Sequence, residues 1–275
     1  MTDERTKGSP QCQIGFLGCG EMGSMVLDAA IEAGVFQPDS VLIAEHDQAK
    51  KGVLKNRGFT VVDSSTELRD CDQLVLAVRP QQFAEAAAGL EGHDRPRLVV
   101  SVMAGIGNAF IRETLGDHAR VICVMPNAPV RVHAGMSVVM PAPEATPEDI
   151  QWVESIFQTL GLTVQLAESS LWAVTALSGS GPGYVSLFAE AMLETAIRMG
   201  LDSNAASTLV AQTLVGTGRM LIESGVAPAA LRASVTTPGG TTEAAIASMI
   251  EAGVPEAIGD GIQAAHDRGE SLSAG

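Results

Sequence analysis

The run Gly18-Cys19-Gly20-Glu21-Met22-Gly23 follows the apolar stretch Gln13–Leu17 and precedes a helical pattern, which sets its backbone amides where a pyrophosphate could bind. In such a turn the first glycine permits the tight reversal and the second lets a phosphate approach the backbone. The third lets the helix pack closely on the strand. Glu45 closes the next apolar run, Val41–Ala44, about twenty residues on, where an acidic side chain binds ribose hydroxyls. Strand, glycine turn, helix and acid together read as a dinucleotide site; the plainer alternative is a structural glycine turn.

The rest of the chain is short of proton-transfer groups. Lys7, Lys50, Lys51 and Lys55 all lie near the start, and no histidine occurs between His133 and His266. Tyr184 has Phe188 four places on, so a Tyr-x-x-x-Lys arrangement is ruled out. Alcohol–carbonyl dehydrogenases usually need such a group to move the hydroxyl proton. A C=N bond suits this inventory better, because an imine can be protonated before hydride arrives, leaving the protein to position and compensate charge. Two late segments fit that role, Ser178-Gly179-Ser180-Gly181-Pro182-Gly183-Tyr184 and Thr236-Thr237-Pro238-Gly239-Gly240-Thr241-Thr242. Each offers free amides and hydroxyls at a helix start, where a carboxylate is stabilised; either alone reads as an ordinary cap.

These groups need a scaffold. Short β-branched runs alternate with helical stretches from Gln13 to about Gln165: Val41–Ala44, Phe59–Val62, Gln73–Val78, Arg97–Val102, Val121–Val124, Met136–Met140 and Leu162–Gln165. The pattern predicts a mostly parallel sheet with helices between its strands. Thr146-Pro147-Glu148 has the cap-then-proline form of a helix start. Beyond about Glu168 the strand signal ends, and Gly181–Gly200, Ser203–Ser224 and Thr241–Ala252 read as helices. We therefore expect an α/β Rossmann-like domain over residues 1–168 and an all-α domain over 169–275. The helix from Pro182 is apolar around nearly its whole circumference, through Val185, Leu187, Phe188, Met192 and Ile197. A small helical domain cannot easily hide such a helix, which points to burial against a second copy in a homodimer. Met192, Met199 and Met220 read as core filler.

Composition narrows the function classes. The chain has 275 residues, 46% of them hydrophobic, with 17 basic against 32 acidic residues and a net charge of −15. That field repels nucleic acid and anionic membranes. Cys12, Cys19, Cys71 and Cys123 are scattered, which suggests neither a disulfide framework nor a metal site and fits reduced thiols in a cytoplasmic protein. The polar stretch Met1 to Gln11 lacks the apolar core of a signal peptide, so the expected protein is soluble and unexported.

At these motifs the chain resembles pyrroline-5-carboxylate reductase over nearly its whole length. The likeness rests on Ile14 to Met22, Leu76-Ala77-Val78-Arg79-Pro80-Gln81, Val124-Met125-Pro126-Asn127-Ala128-Pro129, Val174 to Pro182 and Val235 to Thr242. It implies NAD(P)H-dependent reduction of 1-pyrroline-5-carboxylate to L-proline, the last step of proline biosynthesis. It also implies a C-terminal dimerisation domain, with the active site between the two domains and the dimer able to assemble further. By the same resemblance the pyrophosphate lies on Gly18, Cys19, Gly20, Glu21, Met22 and Gly23. Ser65 stands near the cofactor, and the nicotinamide side meets Ala77, Val78, Arg79, Pro80, Met103, Ala104 and Gly105. Ser180 and the helix start at Gly240, Thr241 and Thr242 would hold the substrate carboxylate, and Glu168 would face the ring nitrogen. Thr242 would orient the imine or donate its proton.

Some positions depart from the family pattern. Glu21 replaces an Asn or Gln and puts a carboxylate close to the phosphates. Trp172 stands where an Asp precedes Ala-Val-Thr-Ala, Ala233-Ser234 replace a charged or polar pair, and Ser65 replaces an Asn. These raise a paralogue acting on a different cyclic imine, or a non-enzymatic NAD(P)-binding protein, as alternatives. The cofactor is NADH or NADPH: the Glu45 carboxylate repels a 2′-phosphate, while His46, Lys50 and Lys51 offset it. Arg79 reads as a phosphate contact or a solvated strand end, and His133 as a surface or capping residue.

Overall fold

The computed structural model describes residues 14–273. Met1 to Gln13, and with them Cys12 and the expected start of the first strand, lie outside the described residues. Eight strands form one sheet: β1 (Ile14–Leu17), β2 (Val41–Ala44), β3 (Thr60–Val62), β4 (Gln73–Leu76), β5 (Arg97–Ser101), β6 (Ala119–Pro126), β7 (Gly135–Pro141) and β8 (Gly161–Gln165). Their order is β3-β2-β1-β4-β5-β6-β7-β8. Neighbours are parallel except β6 and β7, which pair antiparallel with Val124 opposite Val139. Central strands covered on both faces read as continuous apolar runs. β1 and β5 are buried at every position.

Helices α1 (Glu21–Glu32), α2 (Gln48–Asn56), α3 (Phe83–Ala86), α4 (Asn108–Leu115), α5 (Pro147–Phe157) and α6 (Leu171–Val174) connect or follow the strands. Two apolar cores result. Phe16, Val26, Leu27, Ile122 and Phe157 pack in one, and Leu17, Leu76, Phe83, Ile111 and Met140 in the other. The expected start of α5 is present with more detail than its sequence disclosed. Thr146 accepts from the Asp149 amide at 3.2 Å, Asp149 accepts from the Thr146 amide at 3.0 Å, and Pro147 opens the helix. The Arg120 guanidinium forks onto the same Asp149 at 2.7 and 2.9 Å.

The second part is helical: α7 (Gly181–Arg198), α8 (Ser203–Ser224), α9 (Pro228–Ser234), α10 (Thr241–Glu251) and α11 (Val254–Ser273). α9 and α11 were not anticipated from the pattern. The chain divides into two compact units, one ending at Gly179 and regaining the chain from Asp267, the other spanning Ser180–His266. In the second unit α7 and α8 pack on each other, and the buried apolar side chains are Ala206, Val210 and Leu231. α7 buries none of its residues. Met199 is 80% exposed and Met220 48%, which corrects their reading as core filler: among the described residues of one chain nothing buries them.

The thiol reading also changes. Cys19 and Cys123 are free and buried, but Cys71 is disulfide-bonded, so the expectation of reduced cysteines throughout does not hold.

Candidate functional site

The chain leaves β1 at the point where the strand order reverses, β2 and β3 lying to one side and β4 onward to the other. Ligands of open α/β sheets bind in the crevice outside the carboxyl ends of the strands at such a point. The glycine loop fills this place. Gly18 donates its amide to Ala44 at 2.9 Å and has φ +80°, a left-handed conformation that favours glycine. A Cβ there would stand 2.7 Å from Val78 Cγ1. Gly20 opens α1 with no side-chain cap, and a Cβ on it would meet nothing within 4 Å. Gly23 faces the Ala77 Cβ, which an added methyl would approach to 2.9 Å. Turn, open approach and close helix packing are thus distributed over the three glycines in the order expected.

A cleft of about 530 Å³ opens beside the loop. It gathers Gly18, Gly20, Glu45, Ser65, Ala77, Val78 and Arg79 from the expected cofactor set. The remaining members of that set stand elsewhere. Cys19 is buried, with its Sγ 3.5 Å from Ser24 Oγ, and burial pushes its thiol up. Glu21, Met22, Gly23 and Pro80 flank the cleft in sequence without lining it. Met103 is buried in the second core, and its amide donates to Ser101 Oγ at 3.3 Å. Ala104 is exposed. Gly105, at φ +76°, lies under the Trp172 ring, 2.9 Å from an added Cβ.

Glu45 is neither a solvated strand end nor a freely presented acid. It is 5% exposed, and its Oε2 accepts the Cys19 amide at 3.1 Å. Its Oε1 accepts the amides of His46 and Asp47 at 2.9 and 3.0 Å. One carboxylate therefore clips the glycine loop to the turn after β2. Burial pushes its pKa up, but the amides of Asp47 and Cys19, with the Lys50 charge, outweigh this and hold it below the usual range. Three further acids, Asp47, Asp63 and Glu85, line the cleft with Gln82 and went unnoticed as site residues. Asp47 had a local signal, since it caps α2 by accepting from Ala49 and Lys50. Asp63 and Glu85 had none. Lys51 is committed to an ion pair with Asp63, whereas Lys50 and Arg79 face the cleft without an ion-pair partner among the described residues.

Glu168 caps α4: its Oε1 accepts the Asn108 amide at 2.5 Å. Asn127, at the end of β6, accepts the Met136 amide at 2.9 Å and donates to the Ser178 carbonyl at 3.3 Å. It thereby braces the wide π-type turn Thr175–Gly179 that precedes α7. In the second unit Ser180 stands at the start of α7 with Pro182 in its first turn, and no side chain caps that end. Gly240 begins α10, also uncapped by a side chain, and Glu243 turns back to accept the Gly239 amide at 2.7 Å. Thr241 is exposed and Thr242 half-buried, and neither hydroxyl has a hydrogen-bond partner among the described residues. His133 ends the turn Ala128–Val132 at φ 54°, and its Nδ1 lies 2.7 Å from the Thr159 carbonyl, which fits the capping reading. Among the described residues no helix is long and apolar enough to cross a membrane.

Two family models match different parts of the chain. Residues 168–272 match the family described as pyrroline-5-carboxylate reductase dimerisation, and residues 13–105 match that described as NADP oxidoreductase coenzyme F420-dependent. A pyrroline-5-carboxylate reductase of Methanosarcina acetivorans is 36% identical over 263 residues, covering 94% of this chain and 97% of its own. The structure of a pyrroline-5-carboxylate reductase from Coxiella burnetii superposes with a TM-score of 0.87 at 30% identity, covering 96% of this chain and 99% of the other. The Plasmodium falciparum pyrroline carboxylate reductase with NADP bound gives 0.83 at 25% identity, over 97% and 100%.

Proposed function

The chain belongs to the pyrroline-5-carboxylate reductase family, and on that premise we propose that it reduces 1-pyrroline-5-carboxylate to L-proline with NADH or NADPH. The observation that carries the reading is the glycine cradle at the sheet's switch point: φ +80° at Gly18, open space at Gly20 and methyl-close packing at Gly23. That cradle fits a pyrophosphate, because the first-turn amides of α1 have no side-chain cap and the helix dipole favours negative charge there. A reduced nicotinamide supplies the hydride that the imine carbon accepts.

The residues of this chain do the rest. Gly18 to Gly23 hold the phosphates, and Glu45 and Ser65 stand at the ribose side of the cleft. Ala77, Val78, Arg79 and Pro80, with the turn at Met103-Ala104-Gly105, serve the nicotinamide side. Ser180 and the amides at Gly240, Thr241 and Thr242 bind the substrate carboxylate at two helix starts. Glu168 attends the ring nitrogen once it exchanges the Asn108 amide for substrate. Thr242 orients the imine nitrogen or gives it a proton, so that C=N, hydride and proton together yield the saturated amine. The exposed apolar surface of α7, including Val185, Leu187 and Phe188, supports a homodimer as the working form.

The test is loss of nicotinamide absorbance with 1-pyrroline-5-carboxylate and each cofactor. Steady turnover with formation of proline is expected. Turnover only with a different cyclic imine, or dinucleotide binding without turnover of any imine, overturns the assignment.

A further inference from the structure

Glu21 is the first residue of α1, where the helix amides and dipole would otherwise present a clean site for an anion. A carboxylate there opposes the pyrophosphate that the cofactor reading requires. The surroundings sharpen the problem: with Asp63 paired to Lys51, the acids Glu45, Asp47 and Glu85 line the cleft against Lys50 and Arg79, and the whole chain carries −15. An ion pair from Arg131 to Glu21 answers it.

Arg131 reaches Glu21 by topology. β6 runs parallel to β5, which continues the direction of β1 through β4, so the turn that follows β6 lies at the same carboxyl edge of the sheet as the glycine loop. That turn, Ala128–Val132, is braced on both sides. Val130 is 1% exposed in the first core, the Ala134 amide donates to the Pro129 carbonyl at 3.2 Å, and His133 is tied to the Thr159 carbonyl. Gly135 is required beside it, since any Cβ there would run into Val130. The guanidinium is thus delivered from a fixed backbone. Its side chain is 57% exposed and that of Glu21 66%, and ion pairs so open to water add little to folding stability. Their effect is on the local potential at the phosphate position instead.

We propose that Arg131 is a positioning residue for the dinucleotide: by neutralising Glu21 it keeps the mouth of the glycine loop receptive to the pyrophosphate. The proposal rests on the cofactor reading above. It assigns Arg131 a role that depends on Glu21 and on charge rather than on guanidinium shape.

The experiment titrates NADH and NADPH into the full chain and into R131A, R131K, E21Q and the E21Q/R131A double variant, at low and high salt. R131A should weaken both dinucleotides by about fivefold at low salt, the worth of one partly solvated charge near another. The loss should shrink at high salt. R131K should stay within about twofold of the parent, as a point charge suffices, and the double variant should recover to the same range. In turnover, R131A should raise KM for the cofactor with kcat unchanged. Binding by R131A equal to that of the parent overturns the proposal, as does a double variant as weak as R131A. A parent protein that binds neither dinucleotide overturns the cofactor reading itself.

Discussion

Replacing Glu45 by serine separates the clip seen in the structure from the cofactor selection proposed for it. The carboxylate accepts three amides, and two of those donors, on His46 and Asp47, belong to exposed residues whose amides regain water when the carboxylate is removed. The third donor sits on Cys19, which is 2% exposed, so its N–H is left without a partner. An orphaned buried donor costs about 2 kcal/mol. For a chain of this size that is a fall in Tm of about 4–8 °C. The same substitution removes a negative charge from the cleft, where the proposed function seats the ribose. Repulsion between a carboxylate and a 2′-phosphate about 5 Å apart is worth about 1.4 kcal/mol at an effective dielectric between that of water and of a protein surface, or roughly tenfold in affinity.

The expected outcome for Glu45→Ser is therefore a lower Tm together with a ratio of kcat/KM for NADPH over NADH about tenfold higher than in the parent. Differential scanning calorimetry and steady-state kinetics with both cofactors check the two halves. A fallen Tm with the ratio unchanged within twofold refutes Glu45 as a selector and leaves it a structural clip. A shifted ratio with Tm unmoved refutes the clip. The acid limb supplies an independent check on the sign. Because the folded state holds the Glu45 carboxyl below its usual range, its stabilisation is complete above the unfolded pKa and is lost as pH falls through the folded value. The serine variant should lack that part of the acid-induced loss.

Asp149 obeys the same sign rule: burial raises its pKa, but the Arg120 fork and the Thr146 amide lower it further, so its contribution is present above the unfolded pKa of about 3.9 and fades in acid. Asp149→Asn should cost about 2 kcal/mol at neutral pH, with the gap from the parent closing as pH falls, measured by urea unfolding at a series of pH values. A Cβ at position 269 would run into the six-membered ring of Trp172, so Gly269→Ala should destabilise by about 1–3 kcal/mol, and pairing it with Trp172→Leu should recover most of the loss in thermal melts. Thr242→Val keeps the shape of the side chain and deletes its hydroxyl. Turnover of 1-pyrroline-5-carboxylate should fall by about tenfold or more while cofactor binding by titration stays within twofold, and a variant with parental kcat/KM would remove Thr242 from the chemistry.

What could be read from the chain alone follows from how local each signal is. The strand Val41–Ala44 and the helix Ser203–Ser224 match their apolar patterns end to end, because periodicity is a property of neighbouring residues. The glycine turn was legible for the same reason, since φ +80° at Gly18 is required by the reversal itself. Long-range pairings leave no such trace. Nothing near Glu168 says that its carboxylate caps Asn108 sixty positions earlier, and nothing near Cys71 distinguishes it from the free thiols. The methionines of the helical unit fail differently: composition says apolar, but only the fold says whether a second surface is present to cover them.

The Glu21 departure shows how a local reading and a distant partner combine. Taken by itself, an acid in the first turn of α1 argues against tight phosphate binding. Sequence spacing offers no reason to join it to Arg131, which lies beyond five intervening strands. The sheet supplies the reason, because parallel strands return every βα turn to one edge, where residues far apart in the chain share a single electrostatic environment. A charge added at one of these turns can then be balanced from another without disturbing the glycines that set the backbone. On this argument the cradle and its charge balance are set separately: the first by stereochemistry at Gly18, Gly20 and Gly23, and the second, in this chain, by the Arg131–Glu21 pair.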